Sequence, residues 1–180
     1  MKNAYPEKPV LKYMPTRVEM AAAIAGIKNA DYPIEVKRAA YIIFRIESAN
    51  GTKGINNNYS GFQADAGRWP SMYDAMITGV VQKKENGTGR IRLFVAFNDA
   101  SASLNMLMGR IQARGLYVGG TTHKILKMDV RSVNDLARAY KKEWATGSAI
   151  AEPSAKEIEA FESMYKQAAC LPSYGILNRK

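Results

Sequence analysis

The stretch RIESANGTKGINNNYSGFQADAGRW, residues 45–69, decides how this chain is read. Ahead of it, PIEVKRAAYIIFRIE sets Val36, Ala39, Ala40, Ile43 and Phe44 at spacings of three and four, one face of an amphipathic helix. Glu47 falls on that same face and in the last turn, where the helix end is negative and Lys or Arg is favoured. An apolar stripe and a negative helix end both disfavour the anion. Together they predict a raised carboxyl pKa, the property a general acid needs at neutral pH. The competing reading is a Glu47 that turns outward and pairs with a lysine or arginine.

Residues 49–69 then read as a polar loop, longer than an idle connection in a compact domain. Gly51, Gly54 and Gly61 permit tight turns. Asn56, Asn57, Asn58, Tyr59 and Gln63 supply amides and a phenol that suit the hydroxyl and N-acetyl groups of an amino sugar. Asp65 is placed to hold a water, and Asp74 to cap a helix. An ordinary Asn-rich surface loop is the plainer alternative.

Working outward, residues 1–15 read as an extended, Pro-punctuated arm and residues 16–180 as a single domain. Thr16 and Glu19 have the spacing of a capping box for a helix over about 17–29. Asp31-Tyr32-Pro33 starts the next helix with proline near its first turn. Ser71-Met72-Tyr73-Asp74 resembles a cap for a short helix ending near Gly79. VVQKKENGTGRIRLFV, with Asn86-Gly87 between β-prone runs, predicts a hairpin with a type I′ turn. Asp99 caps ASASLNMLMGRIQAR, which stops at Gly115. Ser132 and Asp135 box VNDLARAYKKEWAT, closed by Gly147. Pro153, Ser154 and Glu157 open a last helix that ends before Pro172. Met106 and Met108 read as core filling. The expected class is mainly α, an α+β chain with a small β-hairpin.

A chain of 180 residues, 47% hydrophobic, is long enough to bury a core and is not a disordered sequence. One cysteine (Cys170) and one histidine (His123) exclude an internal disulfide and argue against a His/Cys zinc site. No metal and no cofactor is expected. The net charge of +10 calls for a polyanionic neighbour: nucleic acid, an acidic lipid surface or a bacterial wall. The basic residues are spread along the chain without a glycine-rich loop, an RNA-binding aromatic motif or a zinc finger, which disfavours nucleic acid. Lys83, Lys84, Arg90 and Arg92 on the hairpin are candidates for holding an anionic wall. At the N-terminus, Pro6, Pro9 and Pro15 interrupt any apolar leader, and MAAAIAGI is too short to span a bilayer. The expectation is synthesis in the cytoplasm without a signal peptide and without membrane insertion.

The ordered set of a helix, Glu47-Ser48, a Gly/Asn loop and Gly61-Phe62-Gln63 resembles the lysozyme-like superfamily, above all soluble lytic transglycosylases and goose-type lysozymes. Ala139-Tyr140-Lys141 echoes the later Ala-Tyr-Asn element of that family. The resemblance covers about residues 33–69 and, less fully, 133–147. Gly-Phe-Gln is one residue shorter than the usual Gly-Leu-Met-Gln, and Lys141 replaces the Asn. The resemblance implies a lysozyme-like helical domain that cleaves the MurNAc–GlcNAc β-1,4 bond of peptidoglycan, with Glu47 as acid and base. Taken with the loop's amides, the candidate substrate-binding residues are Ser48, Asn57, Asn58, Tyr59, Gln63, Asp65 and Tyr140. For Tyr117 and His123, a core tyrosine and a surface histidine are preferred over a place in the cleft.

A hydrolase needs a second carboxyl group about 5–9.5 Å from the first, and none stands out. A lytic transglycosylase, in which the sugar's own 6-hydroxyl attacks, therefore stands beside a muramidase. The expected absence of a leader fits a phage enzyme that acts on the wall during entry or lysis, with peptidoglycan strands as substrate and virion proteins as candidate partners. Two rivals remain. One is a non-enzymatic virion structural or wall-binding protein on a lysozyme-like scaffold. The other is a basic nucleic-acid-binding protein, to be told apart by a steep salt dependence of binding.

Overall fold

A computed structural model describes residues 2–84 and 89–171 of the chain. Two short strands come first, β1 (Val10–Leu11) and β2 (Pro15–Thr16), then helices α1 (Met20–Asn29) and α2 (Ile34–Glu47). Strand β3 (Gly54–Ile55) and a 3-10 turn (Ser71–Tyr73) precede the longer strands β4 (Ile77–Lys84) and β5 (Ile91–Phe97). Helix α3 (Ala100–Arg114), strands β6 (Gly120–Thr121) and β7 (Asp129–Val130), and helices α4 (Val133–Ala139) and α5 (Ala155–Gln167) complete the trace. Five α-helices with small sheets make an α+β chain among the described residues.

The chain divides into two compact units: residues up to Gly26 with Phe44–Leu107, and Ile27–Ile43 with residues from Met108 on. In the first, β1 runs parallel to β4, and β4 pairs antiparallel with β5 in a register that sets Val80 opposite Val95 and Lys83 opposite Arg92. The expected hairpin is thus formed, and its Asn86-Gly87 turn lies outside the described residues. β2 pairs with β3, Thr16 opposite Gly54. Tyr5, Phe44, Tyr59, Val80, Val81 and Val95 are among this unit's buried residues. Phe44 meets Tyr59 edge-on at 6.0 Å, and Phe62 meets Phe97 at 6.1 Å.

Two local expectations fail to a partner distant in sequence, and a third is too narrow. Thr16 does not cap α1. It belongs to β2, and its Oγ1 accepts the Asn57 amide at 3.0 Å, so the helix starts at Met20 with the Glu19 carbonyl accepting from Ala23. The short helix ending near Gly79 is one 3-10 turn, because Ile77-Thr78-Gly79-Val80-Val81 joins the sheet, where β-branched residues pack well. The single apolar face of α2 is also too narrow a description. Ala39 through Phe44 are all buried, as in a helix enclosed on every side.

In the second unit, α3 ends in a Schellman turn. The Gly115 amide donates to Gln112, the Leu116 amide donates to Ile111, and Gly115 takes φ +66°. Both expected capping boxes form, Ser132 with Asp135 and Ser154 with Glu157. The helix after Ser132 is not uniform, however. α4 passes into a π-helical stretch, Tyr140–Ala145, closed by the Thr146 amide on the Lys141 carbonyl at 3.1 Å. This wider turn buries both Tyr140, packed on Phe161 at 5.4 Å, and Glu143, ion-paired to Arg114 at 2.9 Å.

Candidate active site

The end of α2 is built by Ser48. Its Oγ donates to the Phe44 carbonyl at 2.5 Å and accepts the Gly51 amide at 2.8 Å. The chain then reverses through Ala49 and Asn50 in left-handed backbone, φ 48° and 57°. Among the described residues, the non-glycine residues with positive φ are these two with Asn56 and Asn57. Left-handed backbone therefore concentrates directly behind Glu47, as it does where a fold over-determines a working loop.

Each asparagine of the triplet then has its own anchor. Asn56 ties the loop to the N-terminal segment, its Oδ1 accepting from the Met14 amide at 2.8 Å and its Nδ2 donating to the Lys12 carbonyl at 3.1 Å. Asn57 donates to the Phe97 and Asn98 carbonyls, at the end of β5. Asn58 is buried and has a full set of partners: it donates to Phe62 and Val95 carbonyls and accepts from Ser60 and Phe62 amides. Gly54 lets the Tyr59 ring close on β3, since a Cβ there would lie 2.5 Å from Tyr59 Cε1. Burial raises the Tyr59 phenol above its ordinary pKa, and the Thr16 hydroxyl partly offsets this.

These anchors leave a cleft of about 410 Å³ in the first unit, whose wall includes Tyr13, Glu47, Lys53, Tyr59, Gln63 and Lys83. Glu47 is half-buried there. It is the one carboxylate among the described residues that line the cleft, and it shares it with the two lysines. Gln63 comes to the wall through a bridge to Phe94 on β5.

The expected substrate-binding set thus separates. Glu47, Asn58, Tyr59 and Gln63 line one cleft. Ser48 is wholly buried and Asn58 has no amide group to spare, so neither is available to a sugar: both are scaffold. Asn57 is likewise turned to β5. Asp65, expected to hold a water, is engaged by protein donors. Arg92 binds it through Nε at 2.9 Å and Nη2 at 3.1 Å, and the Leu93 amide adds a third bond at 3.3 Å. Burial pushes the Asp65 carboxyl up, but these bonds outweigh it and hold it below the usual carboxylate range. Tyr140 is a core residue of the second unit.

Tyr117 and His123 line a separate cavity of about 450 Å³ in the second unit, with Gln112, Thr121, Asp129 and Arg131. There Thr121 Oγ1 and His123 Nε2 lie 2.9 Å apart. Sequence reasoning passed over Tyr13, Lys53 and the inward role of Arg92. No local signal marks Tyr13 or Arg92, because the N-terminal segment and β5 reach the site only through long-range pairing, while Lys53 lies within the loop itself. Among the described residues no group of three His, Cys, Asp or Glu is arranged to hold a metal ion, and no helix is long and apolar enough to cross a membrane. Comparison of the chain with protein-family models, with curated proteins and with solved structures finds no match.

Proposed function

We propose that the cleft of the first unit cleaves the MurNAc–GlcNAc β-1,4 bond of peptidoglycan, with Glu47 as general acid and base. The observation that carries this reading is the convergence of Glu47 and Gln63 on one cleft from the end of α2 and the loop behind it. Glu47 protonates the departing glycosidic oxygen as the C1–O bond breaks. It then takes the proton of the sugar's 6-hydroxyl as that oxygen bonds to C1, leaving a 1,6-anhydro product and a neutral Glu47 for the next cycle. One carboxylate suffices for this route. Asp65, the residue expected to serve a water, is engaged by Arg92 instead, which favours transglycosylation over hydrolysis. Lys53 and Lys83 supply positive charge at the same cleft, fitting an anionic wall polymer.

The lysozyme-like fold and a phage enzyme acting at the bacterial wall, carried in the virion or released at lysis, belong to the same proposal. Zymography on purified peptidoglycan with mass analysis of the products tests it. Anhydro-muropeptides are the expected result; products with reducing ends would convert the proposal to a muramidase. Release of no muropeptide from Gram-negative or Gram-positive walls, where a known lysozyme works, would leave the non-enzymatic wall-binding reading.

A further inference from the structure

The short ribbon of the second unit presents one polar face. Thr121 on β6 stands opposite Asp129 on β7 in antiparallel register, so their side chains share a face. His123 follows Thr121 by two residues and Arg131 follows Asp129 by two, which returns each to that same face. The contacts agree. Thr121 Oγ1 lies 2.9 Å from His123 Nε2, and Arg131 Nη2 donates to Asp129 Oδ2 at 2.5 Å. The residues between them, Thr122 and Val130, are wholly buried. Bonds behind the face fix it: Thr122 Oγ1 donates to the Leu126 carbonyl, and the Gly119 amide to the Val130 carbonyl. All four polar residues line the cavity of about 450 Å³, together with Tyr117. The Tyr117 ring is seated on Gly120, where a Cβ would lie 2.8 Å from its Cε1 and 2.9 Å from its Cζ, so the ring forms a fixed apolar wall.

The charges select the ligand. The Asp129 and Arg131 side chains are 51% and 80% exposed, and their mutual bond uses one carboxylate oxygen and one guanidinium nitrogen. A second oxygen and further N–H donors remain for a ligand. A lone anion on Arg131 meets the Asp129 charge beside it, and a lone cation on Asp129 meets Arg131. A group with both charges on one carbon offers each its opposite. We propose that this cavity binds an α-aminocarboxylate, its ammonium on Asp129, its carboxylate on Arg131 and its apolar side chain against Tyr117. The site belongs to the second unit and is independent of the glycan reading of the first.

The test is an NMR titration of the full chain with leucine, N-acetylleucine and leucinamide, at a fixed pH of about 6 where a free α-amino group is charged. His123 is the one histidine of the chain, so its ring signals report on this cavity. Two charge-assisted hydrogen bonds predict a leucine Kd on the order of 1 mM, and loss of either ligand charge should weaken binding by about 10-fold or more. Asp129→Asn leaves Arg131 unopposed and should turn the preference from leucine to N-acetylleucine. Arg131→Gln should turn it to leucinamide. Both side chains are exposed, and should either variant fail to fold, the three-ligand comparison on wild type decides alone. A wild type that binds the three ligands alike, or whose His123 signals none of them moves, would overturn the proposal. So would variants that keep the wild-type preference for leucine, or a wild type that answers only to a glucose oligomer, which would make the cavity a saccharide site.

Discussion

At the scale of single residues, Glu47 and Ser48 are adjacent and do opposite work. Glu47 faces the cleft, whereas Ser48 is sealed beneath it, closing the end of α2 and the turn at Gly51. Ser48→Ala removes the acceptor of a buried amide, which costs about 1–3 kcal/mol. The denaturation midpoint should fall accordingly, with activity per folded molecule reduced only as far as the turn relaxes. A Ser48 that contacts sugar would show the converse, lost activity at unchanged stability. Asp65 gives a second prediction. Its folded pKa is depressed, so its contribution to stability is present above the unfolded value near 4 and is lost as pH falls through the folded value. Unfolding midpoints measured from about pH 6 down to pH 2 should therefore show a shallower acid limb in Asp65→Asn than in wild type. Identical limbs would mean that Arg92 does not hold the carboxylate in solution.

At the scale of elements, signals that close within a few residues were legible in the sequence. The Ser132/Asp135 and Ser154/Glu157 boxes, the Asp99 cap and the Gly115 stop all form. Thr16/Glu19 carries the same signature and fails, because strand pairing and the Asn57 amide claim the threonine first. The π-helical stretch at Tyr140–Ala145 carries no mark of its own in the sequence. A single widened turn changes the apolar spacing too little for periodicity to mark it. The Gly115 stop supplies a prediction at this scale. A Cβ there would lie 1.5 Å from the Thr121 carbonyl oxygen, in left-handed backbone. Gly115→Ala thus combines strain with a backbone clash and should destabilise by about 3–5 kcal/mol. Thermal unfolding checks this, and a change below about 1 kcal/mol would show that the β6 segment is not seated against the α3 turn.

At the scale of the whole molecule, composition and helical periodicity were enough to reach an α+β chain, and the hairpin was visible from its β-prone runs. The loop after Glu47 is unusual in sequence, yet which of its amides are spent on the scaffold is not legible there. An asparagine looks the same in sequence whether its amide faces solvent or is saturated by carbonyls of β5, as in Asn58. The +10 charge likewise gave no hint that Arg92 turns inward to Asp65 while Lys83, opposite it in the hairpin, lines the cleft. The central claim is that Glu47 is the acid and base of that cleft. The most direct measurement compares muropeptide release from purified peptidoglycan by wild type and Glu47→Gln, with thermal unfolding of the same two samples. Loss of the titrating proton should lower the rate by about 10²–10⁴-fold while the variant stays folded. A Glu47→Gln protein that is destabilised, yet releases muropeptides at nearly the wild-type rate, would contradict the account.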